Sequence, residues 1–434
     1  MGVVIGLLIL SVMMIVHELG HYLTGRKLGF EIEEFSIFMG PVLFSWRRNN
    51  IKYSLKLLPI GASVRFAGEY DDDHDLKKKN DNPGYFYNRP KWARAIVIST
   101  GPALNLLSGV LAFLIMFSSF GYTLPVIGEI ADNTLAAAAD LEVGDRILRA
   151  NDQPIRTTLD YSGAEMFSSV DEPMTLLVRR SSGEKETVVL EPEWRESYRL
   201  GITIQMSQDQ TSAVVNEVDP ESNQGQPVLQ PGDTLLAVNG VPFEETARFN
   251  EEIAQSGHQP LEIDIVRDGE HKTVTMTASQ YLDPVPRGIY FESSQAFIPA
   301  VGQAFQWSWS IVKVTVRSIG MLFSGALRPQ DTLAGPVGVV TMISDVVGQE
   351  QPLSEKVFQL LWMFALISVS LGFMNLLPIP PLDGNHLILI GVEAIRGKRL
   401  SVRTQNLIGI IGFALIIMLA LAGLTFDLLR LTGR

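Results

Sequence analysis

The sequence predicts a multi-pass α-helical membrane protein with four transmembrane helices and a large acidic insertion between the second and third. Three observations carry this. Four apolar stretches are each near the roughly twenty residues needed to cross a bilayer. The loops between them divide sharply by charge, and the longest loop contains an internal repeat. Hydrophobic residues make up 46% and charged residues 19% of the chain, but both are averages over very uneven stretches. The apolar stretches run from Gly2 to Tyr22, Ala95 to Phe120, Gln359 to Ile379 and Asn406 to Leu429.

The first stretch carries no charge from Gly2 to Val16 and closes on His17-Glu18-Leu19-Gly20-His21. It has no basic leader and no small-x-small site after its apolar run, so it reads as a span and not as a cleaved signal peptide. Residues four apart share a helix face, so His17 and His21 can offer two imidazole nitrogens to one metal ion, with Glu18 beside it. Zinc in a hydrolytic site keeps a position for water and lowers its pKa, and a neighbouring carboxylate can take the proton. The alternative is a half-exposed helix end with two surface histidines. Its position argues against it, because ionisable groups at membrane depth are costly and are kept for function. The chain has no cysteine, so His and carboxylates are its only strong metal ligands, and the compartment is left open.

Charge then orients the spans. Residues 24–94 hold 13 Lys/Arg against 9 Asp/Glu, and Arg396, Lys398, Arg399 and Arg403 lie between the last two spans. Residues 120–300 hold 12 Lys/Arg against 30 Asp/Glu. Basic residues concentrate in cytoplasmic loops, so the first and third loops are expected inside, with both termini and the acidic segment outside. His17 and His21 then fall near the cytoplasmic face. The acidic segment argues against nucleic acid as a partner.

Within that segment, Gly144-Asp145-Arg146-Ile147-Leu148 and the residues through Ile155 align without gaps to Gly232-Asp233-Thr234-Leu235-Leu236 and the residues through Phe243, 88 positions later. A repeat of that length means two copies of a small domain. Each copy has a Gly-Asp turn, an apolar strand and an Asn-containing turn, with alternating strands such as Met174–Val178 and Leu261–Val266 following. The copies resemble bacterial PDZ domains, with Leu141-x-x-Gly144-Asp145 and Leu229-x-Pro231-Gly232-Asp233 as the recognisable cores. PDZ domains bind extended peptides at a sheet edge. Groove binding and steric gating both stay open here. Phe297 to Leu327 interleaves Phe305, Trp307 and Trp309 with Lys313 and Arg317, which suits a helix in the headgroup region or a buried helix of the outer domain. Gly335-Pro336-Val337-Gly338 is expected to break any helix.

The third span ends in Asn375-Leu376-Leu377-Pro378-Ile379-Pro380-Pro381-Leu382-Asp383-Gly384-Asn385-His386. Proline removes a backbone donor and clashes with the preceding turn, so the helix must unwind. Unwound backbone at membrane depth is tolerated only inside protein or beside a water-filled cavity. Asp383 would then lie at the depth of His17 and His21 and complete a two-imidazole, one-carboxylate zinc site. His386, Glu31, Glu33 and Glu34 are the competing third ligands.

Taken together, these two motifs and the intervening repeats resemble the site-2 protease family of intramembrane zinc metalloproteases over nearly the whole chain. The resemblance implies that His17, His21 and Asp383 bind Zn2+, that Glu18 is the general base, and that Asn375, Pro378 and Pro380 help hold substrate. Gly101-Pro102-Ala103-Leu104-Asn105 is similar to the family's Gly-Pro-x-x-Asn segment, with Asn105 either glue between helices or part of the site. Tyr53 to Phe66 resembles its membrane-associated β-hairpin, with Ala62-Ser63 where Gly-Tyr is usual, and Asn385 replaces a glycine after Asp-Gly. The implied activity is cleavage of transmembrane segments of pre-trimmed single-span proteins of the anti-sigma-factor type, or of remnant signal peptides, in a bacterial inner membrane. The lipid bilayer and peptide ligands of the PDZ domains are the other partners. A catalytically inactive PDZ adaptor and a zinc protease cutting at the membrane surface are the rival functions.

The expected divisions are 1–24 (first transmembrane helix with the zinc motif), 25–94 (cytoplasmic loop with the hairpin) and 95–120 (second transmembrane helix). PDZ domains follow at 121–196 and 197–282, then amphipathic periplasmic or interfacial helices at 283–357. The remainder is 358–385 (third transmembrane helix with the Asp ligand), 386–405 (cytoplasmic loop) and 406–430 (fourth transmembrane helix).

Overall fold

The structure, a computed structural model, describes residues 2–69, 82–207, 211–326 and 335–431. Residues 70–81 of the loop expected at 25–94, and 327–334 of the segment expected at 283–357, lie outside the described residues. The chain divides into two compact units: Met1–Pro125 with Gln153–Met166 and Phe291–Arg434, and Val126–Asp152 with Phe167–Tyr290.

In the first unit, four helices are long and apolar enough to cross a membrane, among the described residues. They are α1 (Gly2–Lys27), α2 (Lys91–Phe120), α7 (Leu353–Asn375) and α9 (Val402–Leu431). Helix α1 runs past the expected boundary at residue 24 and ends on Arg26 and Lys27, whose charges suit a helix C-terminus. Helix α2 is the packing centre. A Cβ on Gly20 of α1 would lie 2.4 Å from Thr100 O of α2, and one on Gly109 of α2 would lie 2.5 Å from Val369 Cγ2 of α7. Small residues at these crossings let the backbones approach, as in membrane helix pairs. Ser108 and Ser368 hydroxyls meet across the α2/α7 crossing at 2.7 Å. Phe113 and Phe117 of α2 are buried with Val369 of α7 and with Ala300, Trp307 and Ile311 of a further helix, α5 (Phe297–Ser324).

Strands β1 (Ile32–Arg48) and β2 (Ile51–Phe66) form an antiparallel hairpin. Its turn residues Asn49 and Asn50 both have positive φ (50° and 63°), the conformation that lets a two-residue loop match strand twist. The hairpin base is anchored, with Phe30, Ile32, Phe35 and Phe66 packed in one cluster with Val97 and Ile98 of α2. Its far part leaves Val42, Leu43, Phe44, Trp46, Leu57 and Leu58 exposed.

The two repeats fold alike. Strands β3 (Tyr122–Ile130), β4 (Arg146–Ala150), β6 (Met174–Arg179) and β7 (Lys185–Leu190) line up in that order in one sheet, with the short β5 (Gln153–Pro154) on β4. The other sheet runs β9 (Ile202–Met206), β10 (Ala213–Val218), β11 (Thr234–Val238), β13 (Pro260–Arg267), β14 (Glu270–Thr277), with β12 (Val241–Pro242) on β11. Each repeat buries the Asp of its Gly-Asp turn under an Arg from a later strand or its end: Arg180 Nη1 to Asp145 Oδ2 at 2.7 Å, and Arg267 Nε to Asp233 Oδ1 at 2.7 Å. The turn asparagines also match, since Asn151 Oδ1 accepts from Thr175 N and Asn239 Oδ1 accepts from Glu262 N, both at 2.9 Å.

Four expectations need correcting. The segment expected to be helical from 283 opens instead with β16 (Ile289–Ser294), which joins the first repeat's sheet beside β3. The second repeat is therefore nested inside the first, not appended to it. Furthermore β8 (Trp194–Arg199) and β15 (Ser279–Pro284), which run across the boundaries expected after residues 196 and 282, pair with each other in a separate two-stranded sheet. Gly335-Pro336-Val337-Gly338 does not break a helix but opens one, α6 (Pro336–Gly348), because proline is well tolerated where the N–H would be unpaired anyway. Lastly, the expected third span to 385 and loop at 386–405 are redrawn. Helix α7 stops at Asn375, and Asp383 begins a separate helix, α8 (Asp383–Arg396). Two further helices are α3 (Thr158–Met166), which packs on α5 through a 2.6 Å Lys313–Asp160 ion pair, and α4 (Thr246–Ser256).

Candidate metal centre

Helical periodicity alone brings His17 and His21 together: their Nε2 atoms are 3.1 Å apart and both residues are buried. Their rings meet edge to face with centroids 4.8 Å apart. The third group arrives from a distant part of the chain. Prolines 378, 380 and 381 keep the backbone from continuing α7, so it turns through Leu376–Leu382 before Asp383 restarts a helix. Gly384 makes that turn possible, since a Cβ there would lie 2.2 Å from Leu376 O and 2.3 Å from Leu377 O. Asp383 Oδ2 ends 3.0 Å from His17 Nε2 and 3.5 Å from His21 Nε2.

These separations fit a metal. Tetrahedral zinc with bonds of about 2.0–2.1 Å places its donor atoms roughly 3.3 Å apart. The three atoms here are 3.0, 3.1 and 3.5 Å apart, and His17, His21 and Asp383 are the group among the described residues that could hold an ion. The far sides of the imidazoles are prepared as well. His21 Nδ1 lies 2.9 Å from Val97 O, which makes Nδ1 the protonated nitrogen and leaves Nε2 free as a ligand. His17 Nδ1 lies 3.4 Å from the side-chain amides of both Asn105 and Asn375. Asn105 is fully buried and its Oδ1 has no hydrogen-bond partner. Turning its amide over would give His17 Nδ1–H the acceptor that metal ligation through Nε2 requires.

Gly101 forms the floor. A Cβ on it would fall 2.3 Å from His21 Nε2 and 2.9 Å from His17 Nε2. Sequence reasoning noted the Gly-Pro-x-x-Asn segment but not this function of Gly101. A glycine's role as empty space depends on what packs against it.

Glu18 lies next to His17 on the helix but turns toward the hairpin, where its Oε2 accepts a 2.9 Å hydrogen bond from Val64 N. Ala62 and Ser63 sit in the same strand, opposite Ile37 and Ser36, and the Ser36 and Ser63 hydroxyls pair at 2.7 Å. Asn375 ends α7 at the His17 side of the site. Pro378 is exposed, and Pro380 packs on α9, where a Cβ on Gly412 would lie 2.3 Å from it. The competing ligands are elsewhere. Glu33 pairs with Arg65 at 2.9 Å, Glu34 with Lys52 at 3.5 Å, and Glu31 accepts from Asn82 at 2.6 Å. His386, one turn past Asp383, lines a small cavity with Arg94 and Glu393 instead.

The profile described as peptidase family M50 matches residues 5–419. A Pasteurella multocida protein whose name carries the words zinc metalloprotease is 29% identical over 98% of this chain and 98% of its own length. "Regulator of sigma E protease" of Salmonella typhi and "Regulator of sigma-E protease RseP" of Escherichia coli strain K12 are each 28% identical, over 97% of both chains. Among solved structures, the HtrA3 PDZ domain bound to a phage-derived ligand is 18% identical with a TM-score of 0.18, covering 21% of this chain and 92% of that one.

Proposed function

The chain belongs to peptidase family M50 and is a zinc metalloendopeptidase, and from that premise we propose that it cleaves transmembrane segments of single-span membrane proteins already trimmed on their outer side. The observation that carries this reading is the convergence of His17 and His21, on a helix long and apolar enough to cross a membrane, with Asp383 at the start of α8, and with Glu18 next to His17. When bound, zinc supplies a Lewis acid and makes water nucleophilic near neutral pH. His17 and His21 would hold it through Nε2, and Asp383 through Oδ2. Glu18 takes the proton of the attacking water and passes it to the departing amine.

A substrate helix hides its carbonyls in its own hydrogen bonds, so it must unwind before hydrolysis. Strand β2 offers backbone groups to the unwound segment, and the Asn375 amide offers more. Pro378 and Pro380 shape that region by holding the chain between α7 and α8 open. The exposed apolar part of the hairpin suits contact with lipid. The basic first loop and acidic insertion support an inner-membrane arrangement with both termini and the repeats outside and the site near the cytoplasmic face. The repeats act as PDZ domains that exclude bulky external domains. Relatives named as regulators of sigma E support an anti-sigma-factor type of substrate.

The test compares purified wild type with Glu18→Gln on a single-span substrate, with and without a zinc chelator. The expected result is cleavage inside the hydrophobic segment by wild type, abolished by chelation, with Glu18→Gln slower by about 10²–10⁴-fold. Equal cleavage by both proteins would sink the proposal. Cleavage mapped outside the hydrophobic segment would replace it with surface proteolysis.

A further inference from the structure

We propose that Arg94 and Glu393 are positioning residues that set the location of Asp383; this rests on the metal-site reading above. One stripe of α2, spaced at three, four and four residues, touches both imidazoles of the site. Val97 O holds His21, Gly101 forms the floor under both imidazoles, and Asn105 faces His17. Arg94 opens the same stripe, and it reaches α8, the helix that Asp383 begins. Its Nη2 lies 2.8 and 2.9 Å from the two carboxylate oxygens of Glu393. Arg94 is only 2% exposed.

Further contacts close the joint. Lys91 Nζ, one turn earlier on α2, donates to Glu393 O at 3.1 Å. The guanidinium carbons of Arg94 and Arg399 lie 5.7 and 4.3 Å from the Tyr87 ring centroid.

A buried ion pair is weak evidence of stabilisation, because desolvation offsets most of the attraction; its better-attested use is to fix geometry. Here the geometry matters. Asp383 and Glu393 are ten residues apart on one helix, so about 15 Å of stiff rod joins them. Metal–ligand distances must hold within about 0.2 Å. The histidines are registered to α2 by Val97 and Gly101. Arg94 registers α8 to the same helix, so the imidazoles and the carboxylate share one reference.

The experiment measures zinc affinity of the full-length protein by competition with a chelating dye, alongside the melting temperature of the zinc-stripped protein. The variants are Arg94→Gln, Arg94→Lys, Glu393→Gln and the Arg94→Gln/Glu393→Gln double variant. We expect Arg94→Gln and Glu393→Gln to weaken zinc binding by about 10–100-fold, each with a lower melting temperature because it leaves one charge unpaired. The double variant, which leaves neither charge, should bind zinc as weakly while its stripped form melts close to wild type. Arg94→Lys should fall between, because an ammonium keeps the charge but sits on a shorter side chain that does not carry it to the position of Nη2 between the two Glu393 oxygens. Unchanged zinc affinity in the variants overturns the positioning role. So does a fall in affinity that only follows lost stability of the stripped protein. Wild type that binds no zinc would overturn the metal-site reading as well, which separates the two failures.

Discussion

One half of the metal centre is local and the other is assembled. His17, Glu18 and His21 come from a single uninterrupted helix, so the spacing of the two imidazoles is a property of the α-helix itself. Asp383 reaches them from 362 residues after His21, across a helix break, and no helical spacing fixes the distance. Its placement depends on Gly384 fitting against two carbonyls and on the α8 contacts with α2. The half with built-in geometry should fail only where a change touches the imidazoles themselves, whereas the assembled half should be sensitive to packing at a distance.

The largest effect is expected at the floor under the two imidazoles. Gly101→Ala would put a methyl group against both imidazole Nε2 atoms, and rings held in a helix face cannot easily move aside. Zinc content of the purified protein should fall towards zero and cleavage by on the order of 10²-fold or more. A fully loaded, active Gly101→Ala would mean that the imidazoles do not rest on this floor.

Gly384→Ala separates the two halves. It forces the start of α8 away from Leu376 and Leu377 and leaves α1 alone, so zinc affinity should drop by about 10–100-fold while X-ray absorption still shows two imidazoles on the remaining metal. Loss of imidazole coordination in that variant would break the distinction. Asn105→Leu probes the local half, removing an outer partner of His17 but not its helix. Zinc affinity should weaken by about tenfold. A loss larger than that of Gly384→Ala would reverse the proposed order of sensitivity.

The smallest effect on the metal should come from the outer repeats. Burial disfavours the charge on Asp233, but the Arg267 fork and the Gln230 N–H overcome this and hold its pKa below the ordinary aspartate value. Its charge therefore contributes stability above about pH 4, which is lost as the pH falls through the lowered folded value. Hydrogen exchange should show β11 and β13 losing protection on acidification in wild type. Asp233→Asn should be less protected at neutral pH and less acid-sensitive, with zinc binding unchanged. A change in zinc affinity would tie the repeats to the metal centre.

The same division explains what the sequence disclosed. Four apolar stretches announce helices because length and apolarity are local properties. The His pair is legible for the same reason. Pro378, Pro380 and Pro381 tell where α7 must stop, but prolines do not say where the next helix starts, so α8 was expected as a loop. Pro336 misled in the opposite sense: a residue that ends helices from inside also begins them. The match of Asp145 with Asp233 was readable as a repeat. The Arg180 and Arg267 partners were not, because they come from later in each copy and pair only in three dimensions. Gly101 and Arg94 have no motif of their own.

Strand β16 has a consequence for how the protein is made. The first repeat emerges from the ribosome with its sheet one strand short, since the missing strand follows the whole second repeat. About 160 residues separate the end of β3 from the start of β16, so at roughly 5–20 residues per second the gap lasts on the order of ten to thirty seconds. The second repeat, whose strands all lie within its own stretch of chain, can finish folding in that interval. The order of completion is then the reverse of the order of synthesis. For that time an unpaired edge of β3 stands open to wrong partners, which makes the nascent chain more vulnerable there than the finished protein.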